Sequence, residues 1–176
     1  MLDLKVRGFL FTYSMEDWPT IPTMLGQFVV IILAEDAFFY WAHRTFHHPK
    51  LYWIHKRHHE YNIPIAISAL YAHPLEFVFC DSLAFLVGAV FLSYVAKIHL
   101  ITLLVWHCFR ILETCEVHCG YEWSWSQLSF LPWKLNVEKH DFHHSHNVGN
   151  FGSEFGFWDS LMGTSQAFAT YHKSSE

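Results

Sequence analysis

Three short histidine arrays carry the chemistry that this sequence can do. Residues 43 to 48 read HRTFHH and set out His43, His47 and His48 as His-x-x-x-His-His. Residues 55 to 59 read HKRHH and residues 140 to 144 read HDFHH, which supply His55, His58 and His59, then His140, His143 and His144, as His-x-x-His-His. On a helix, positions i and i+3 or i+4 share a face, so each array is expected to present its imidazoles together. Neutral imidazoles packed side by side gain little by burial and repel on protonation unless a cation organises them. Nine exceed what one four-coordinate zinc consumes, and the count points to two metals. His73, in YAHPLE, and His118, in ETCEVHCGYE, are additional candidate ligands. His99, His107, His146 and His172 lie outside every array and read as ordinary surface or core residues.

Imidazole suits zinc, iron, copper and nickel alike, so context has to narrow the metal. A hydrolytic dizinc site usually adds bridging carboxylates, and the Glu-x-x-His pairs of ferritin-like carboxylate sites are missing here. An all-nitrogen pair of irons at a membrane surface suits oxygen activation instead. Three acids are placed to support ligands from behind: Asp36, seven residues before His43 on the same face, and Glu60 and Asp141, each next to a ligand. Cys115, His118 and Cys119 lack the spacing of a zinc finger or ribbon.

The elements that must position these arrays are apolar. Hydrophobic residues make up 52% of the 176 residues against 15% charged, which excludes disorder and makes a bilayer the leading solvent. A net charge of -5 with no basic run removes the footprint that nucleic-acid binding requires, so no nucleic-acid partner is expected. Met24 to Trp41 is nearly long enough to cross a bilayer, and Leu75 to Ala96 is the better spanning candidate, about 33 Å of helix. Leu100 to Leu112 carries His107 and Arg110 and should turn its second half to protein or a polar site. Only Lys97, Ile98 and His99 separate the last two, which reads as a tight helical hairpin. Such a hairpin leaves one membrane face and returns to it, bringing the arrays before and after it to the same side. Arg44, Lys50, Lys56, Arg57, Lys134 and Lys139 sit on that side against Lys97 at the tip, so the histidine side is expected to be cytosolic. Four cysteines without a CxxC pair fit a reducing compartment. The N-terminal run reads as too short for a signal peptide, and the tail has no retention or lipidation motif. The expected division is an N-terminal segment, 1–23, and a membrane-embedded domain, 24–176.

The order HRTFHH, HKRHHE, YAHPLE, RILETCEVHCGYE, HDFHH and GNFGSEFGFWDSLMGT resembles the fatty acid hydroxylase/sterol desaturase superfamily, and within it is most similar to the C4-methylsterol oxidases. The resemblance covers roughly Glu35 to Ser165. It implies an all-α, multi-pass protein of the endoplasmic reticulum membrane, whose cytosolic histidine-rich helical cap holds a dinuclear, non-haem iron site. It also implies dioxygen as co-substrate, and electrons from NAD(P)H through cytochrome b5 and its reductase. Zinc can take the place of iron on heterologous expression. The implied reaction is oxidation of the C4 methyl group of a sterol. The alternatives are another lipid hydroxylation or desaturation, or a catalytically silent metal-binding membrane protein. Leu70 stands where a carboxylate is common in the family, and Cys119 and Glu122 replace a commoner Ser and Asp. Trp53, Leu70, Tyr71, Trp106, Phe109 and Trp158 are candidates to line a substrate slot opening to the bilayer.

Overall fold

The computed structural model describes residues 11–126 and 136–175 and is almost entirely helical. The first ten residues and Lys134 lie outside the described residues, and with them part of the signal-peptide reading and one of the basic positions.

Helix α1 (Ile21–Phe46) is longer at both ends than the apolar run suggested. The Thr20 hydroxyl accepts from the Thr23 N–H, and Pro22 occupies the first turn, where its missing N–H costs nothing. At the other end the helix continues past Trp41 to carry His43, with His47 as its C-cap. A four-residue helix α2 (Tyr52–His55) and a 3-10 turn (His58–Glu60) follow, so the second array is not one continuous helix. The second apolar segment begins at α3 (Pro74–Glu76), where His73 Nδ1 accepts from the Leu75 N–H at 3.1 Å. It passes through a π-helical stretch, Phe77–Leu83, and ends as α4 (Ala84–Ser93). Helix α5 (Leu100–Val117) is capped by His99, α6 (Val137–His146) by Asn136, and the short α7 (Phe157–Leu161) and α8 (Gln166–Ser175) close the order. Asn147, at a φ of 57°, adopts the left-handed conformation that stops α6.

Helices α1 and α4 pack closely because Gly88 has no side chain: a Cβ there would lie 2.7 Å from the Ile31 Cα. Ile31, Ile32, Leu92, Ile98 and Trp106 form the core between α1, α4 and α5. The turn between α4 and α5 is tied down from the N-terminal side. Strand β1 (Phe11–Thr12) pairs in parallel with β2 (Ile98–His99), Lys97 Nζ meets Asp17 at 2.8 Å, and Gln27 donates to the Lys97 carbonyl at 2.9 Å. Lys97 is therefore at the end of α1 opposite the histidines, and the arrays on the two sides of the hairpin meet at the other end. Two helices among the described residues, Ile21–Phe46 and Pro74–Ser93, are long and apolar enough to cross a membrane. At 26 residues the first is about 39 Å long, more than the roughly 30 Å of a bilayer core. Ile21, Leu25, Val29 and Leu33 on α1, and Leu100, Leu104 and Val105 on α5, present exposed apolar faces. Together these features suit a helical protein associated with a membrane.

Candidate metal centre

The histidines converge into two groups, each able to hold a metal ion. His43, His47, His55, His59 and His143 form one, and His58, His118, His140 and His144 the other; within each, the ligand atoms lie within 4.8 Å of one another. The groups adjoin, with the His59 and His144 ring centroids 4.7 Å apart. Both i, i+3, i+4 arrays are divided between them. From the second array His55 and His59 go to the first group and His58 to the second; from the third, His143 goes to the first and His140 and His144 to the second.

The hydrogen bonds behind these rings fix several tautomers. A carbonyl oxygen only accepts, so a ring nitrogen facing one carries the proton. His43 Nδ1 donates to the Phe151 carbonyl (3.0 Å), His143 Nδ1 to that of Gly149 (2.6 Å), His118 Nδ1 to that of Thr114 (2.8 Å) and His144 Nδ1 to that of Tyr61 (3.1 Å). His55 Nδ1 donates to the Glu76 carboxylate at 2.7 Å. Each of these five rings turns a bare Nε2 lone pair inward. His43 Nε2 and His55 Nε2 then face each other at 3.0 Å with no proton between them. In the second group, His140 Nε2 lies 2.9 Å from His118 Nε2 and 3.1 Å from His144 Nε2, and one N–H can satisfy only one of the two. Among the described residues, His143 Nε2 and His47 Nε2 are buried without a hydrogen-bond partner.

Facing lone pairs are repulsive unless a cation sits between them. Nitrogens bound at about 2.1 Å to one ion, at right angles, lie about 3.0 Å apart, and the closest contacts across both groups run from 2.9 to 3.2 Å. The residues therefore fit a metal at each group. Burial holds His59 and His118 down to about 4, and His55, His58, His140 and His143 well below 6.5, so all are neutral at pH 7, as metal ligation requires.

Of the nine histidines of the arrays, eight are in these groups. His48 is exposed beyond the end of α1, with its Nδ1 accepting from the Lys50 N–H at 3.3 Å. His118 joins the second group, whereas His73 caps α3 and packs edge-on to Trp53 outside both. His99, His107, His146 and His172 also lie outside both groups. Among the described residues Asp36 makes no hydrogen bond to a histidine. Its Oδ1 accepts from the backbone N–H groups of Glu154 (3.0 Å) and Phe155 (3.1 Å), which ties the loop carrying Phe151 to α1. Glu60 is exposed and accepts from the Tyr71 hydroxyl, and Asp141 is half-buried outside both groups.

The carboxylate that does stand behind a grouped histidine is Glu76, which the sequence analysis does not single out; its place in HPLE, three residues after the capping His73, was the available signal. Asp159 is a second such residue. It accepts from the N–H groups of Phe151 and Gly152, both at 2.8 Å, and from the Thr164 hydroxyl at 2.6 Å, holding the carbonyl that orients His43.

Against the histidine centre lies a small cavity of about 50 Å³, and between the π-helical stretch, α4 and α5 lies an apolar one of about 450 Å³, within the size range of ligand pockets. Of the six slot candidates only Leu70 lines the larger cavity, with Phe77, Phe85, Leu86 and Ile111. Trp106 donates its indole N–H to Glu35 at 2.8 Å inside the core, and Phe109 stacks on it. Trp158 stacks on Tyr40, Tyr71 donates to Glu60, and Trp53 packs against His73.

A helical membrane-associated protein with two adjoining all-histidine groups is the class that this geometry defines. The chain belongs to the fatty acid hydroxylase family, whose model matches residues 28–164. It is 36% identical over 157 residues to the C-4 methylsterol oxidase of Schizosaccharomyces pombe, covering 89% of this chain and 51% of that protein. It is 37% identical over 172 residues to methylsterol monooxygenase 1 of Danio rerio, covering 96% of this chain and 57% of that protein. To a putative methylsterol monooxygenase of Dictyostelium discoideum it is 40% identical over 148 residues, 84% of this chain and 54% of that protein. The chain thus spans about half the length of the curated relatives it matches. No solved structure matches it significantly.

Proposed function

We propose that this chain carries the metal centre of a methylsterol monooxygenase, which oxidises the C4 methyl group of a sterol. The observation that carries the proposal is the pair of adjoining histidine groups with their bare Nε2 atoms turned inward, set beside an apolar cavity. His43, His47, His55, His59 and His143 would hold one iron ion and His58, His118, His140 and His144 a second, and the pair would supply the dioxygen activation and oxidation of an unactivated C–H bond for which no side chain is competent.

The residues of the chain do the rest. The Nδ1–H donors lock the rings, since a ligating imidazole is oriented by the acceptor behind it. Burial of eight of the nine rings excludes water that would compete for the ligand positions. Leu70, Phe77, Phe85, Leu86 and Ile111 give an apolar lipid its slot. The first turnover balances as methyl, dioxygen, two electrons and two protons going to hydroxymethyl and water, with NAD(P)H, cytochrome b5 and its reductase as the electron source. The location is the endoplasmic reticulum membrane, crossed more than once, with the histidine end in the cytosol, where Arg44, Lys50, Lys56, Arg57 and Lys139 also lie.

Sterol profiling tests the reading. Cells lacking the protein are expected to accumulate C4-methylated sterols with hydroxylated fatty acids unchanged. Flat 4-methylsterols together with loss of another oxidised lipid would overturn it.

A further inference from the structure

We infer that Asp81 and Thr114 receive the hydroxyl group adjacent to the carbon that is oxidised, so that a 3-hydroxysterol enters the cavity with its A ring leading. The inference rests on the sterol reading above and deepens it. The small cavity at the histidines and the large apolar cavity share three lining residues, Asp81, Arg110 and Thr114, which make up the neck between them. Arg110 is already engaged. Its Nε donates to Glu35 (2.6 Å), its Nη1 to Glu113 (2.8 Å) and Glu154 (2.5 Å), and its Nη2 to Ser153 (3.1 Å).

The other two are not. Among the described residues no hydrogen bond reaches the Asp81 carboxylate, although it lies on a segment apolar enough to cross a membrane. An ionisable side chain in that setting is expensive to keep and by default points to function. It belongs to the seven-residue π-helical stretch Phe77–Leu83, a backbone form concentrated at functional sites. The Thr114 hydroxyl likewise makes no hydrogen bond among the described residues, while the carbonyl of the same residue accepts from His118 Nδ1. The neck thus offers one acceptor and one hydroxyl, one residue's backbone away from a ligand.

Sterol chemistry matches this pair. A sterol is a rigid apolar ring system with a hydroxyl at C3, and C3 is bonded to C4. When a C4 methyl reaches the histidine groups, the C3 hydroxyl stops at the neck, where it can donate to Asp81 and accept from Thr114. The rings behind it occupy the cavity lined by Leu70, Phe77, Phe85, Leu86 and Ile111. An apolar chain without a hydroxyl would instead leave the Asp81 carboxylate desolvated and without a hydrogen bond, which disfavours it.

The test is equilibrium binding of two radiolabelled probes, a 4,4-dimethylsterol with a free 3-hydroxyl and its 3-deoxy counterpart, to the full-length protein in lipid nanodiscs, with metal content measured in parallel. The wild type is expected to prefer the 3-hydroxysterol at least tenfold. Asp81→Leu and Thr114→Val should each reduce that preference severalfold at unchanged metal content, while Asp81→Asn, which keeps an acceptor, should retain most of it. Thr114→Val decides the matter if Asp81→Leu fails to fold. Equal binding of both probes by the wild type, or a preference unchanged in the variants, would overturn the inference while leaving sterol oxidation standing. Failure to bind or oxidise either sterol would instead bring down the sterol reading, and the inference with it.

Discussion

At the scale of single residues, the centre depends on what lies behind each imidazole as much as on the imidazoles themselves. Glu76 takes the Nδ1 proton of His55 and so keeps that Nε2 bare and aimed at His43. Removing such a partner typically costs about 10–100-fold in metal affinity. Glu76→Leu is therefore expected to weaken metal binding at the first group by about that factor in chelator competition, whereas His48→Ala, at an exposed position outside both groups, should leave it unchanged. A Glu76→Leu protein with wild-type affinity would show that the acceptor is dispensable. Eight of the grouped histidines were legible because clustered imidazoles are rare and their helical spacing is explicit. His118, named as an additional candidate ligand, stands alone in EVHCG with no array around it, and the fold brings it to His58 and His140. His48 matched the spacing pattern but lies past the end of α1, where the helical face it would have shared no longer exists. Glu76 was hidden for a similar reason, because its partner is 21 positions away in sequence.

At the scale of elements, the two apolar helices and the hairpin were readable from composition, while the local backbone at the site was not. The second array looked like one helical face; the chain breaks there into α2, a turn and a 3-10 segment, which sends His58 to the other group from His55 and His59. The loop from Asn147 to Gly156 carried no periodicity, yet it supplies the carbonyls of Gly149 and Phe151 that orient His143 and His43. Asp159 holds that loop through two backbone N–H groups and the Thr164 hydroxyl. Each buried group left unpaired costs about 1–3 kcal/mol. Asp159→Ala should thus lower the thermal midpoint of the purified protein and release metal at a lower chelator concentration than the wild type. A variant as stable and as tightly loaded as the wild type would contradict the role given to the loop.

At the scale of the whole molecule, α1 and the π-interrupted helix from Pro74 to Ser93 set the histidines at one end and the β1–β2 pair with Lys97 at the other. In the membrane-crossing arrangement proposed above, a bilayer would separate the two ends. Accessibility labelling of single-cysteine variants in sealed microsomes is expected to place Lys50 and Lys139 on the cytosolic side and Lys97 on the other side or within the membrane. Finding Lys50 and Lys139 on opposite faces would be incompatible with one histidine centre built from both sides of the hairpin.

The central claim, that nine imidazoles form two adjoining metal sites, is tested most directly by counting metal ions per chain in the purified full-length protein. The wild type should hold about two, because one ion cannot engage nine imidazoles. His118→Ala, which removes one of four ligands from the second group only, should hold close to one, with the membrane helices still inserted. One metal or none in a fully folded wild type supplied with iron, or two retained undiminished in His118→Ala, would contradict the account.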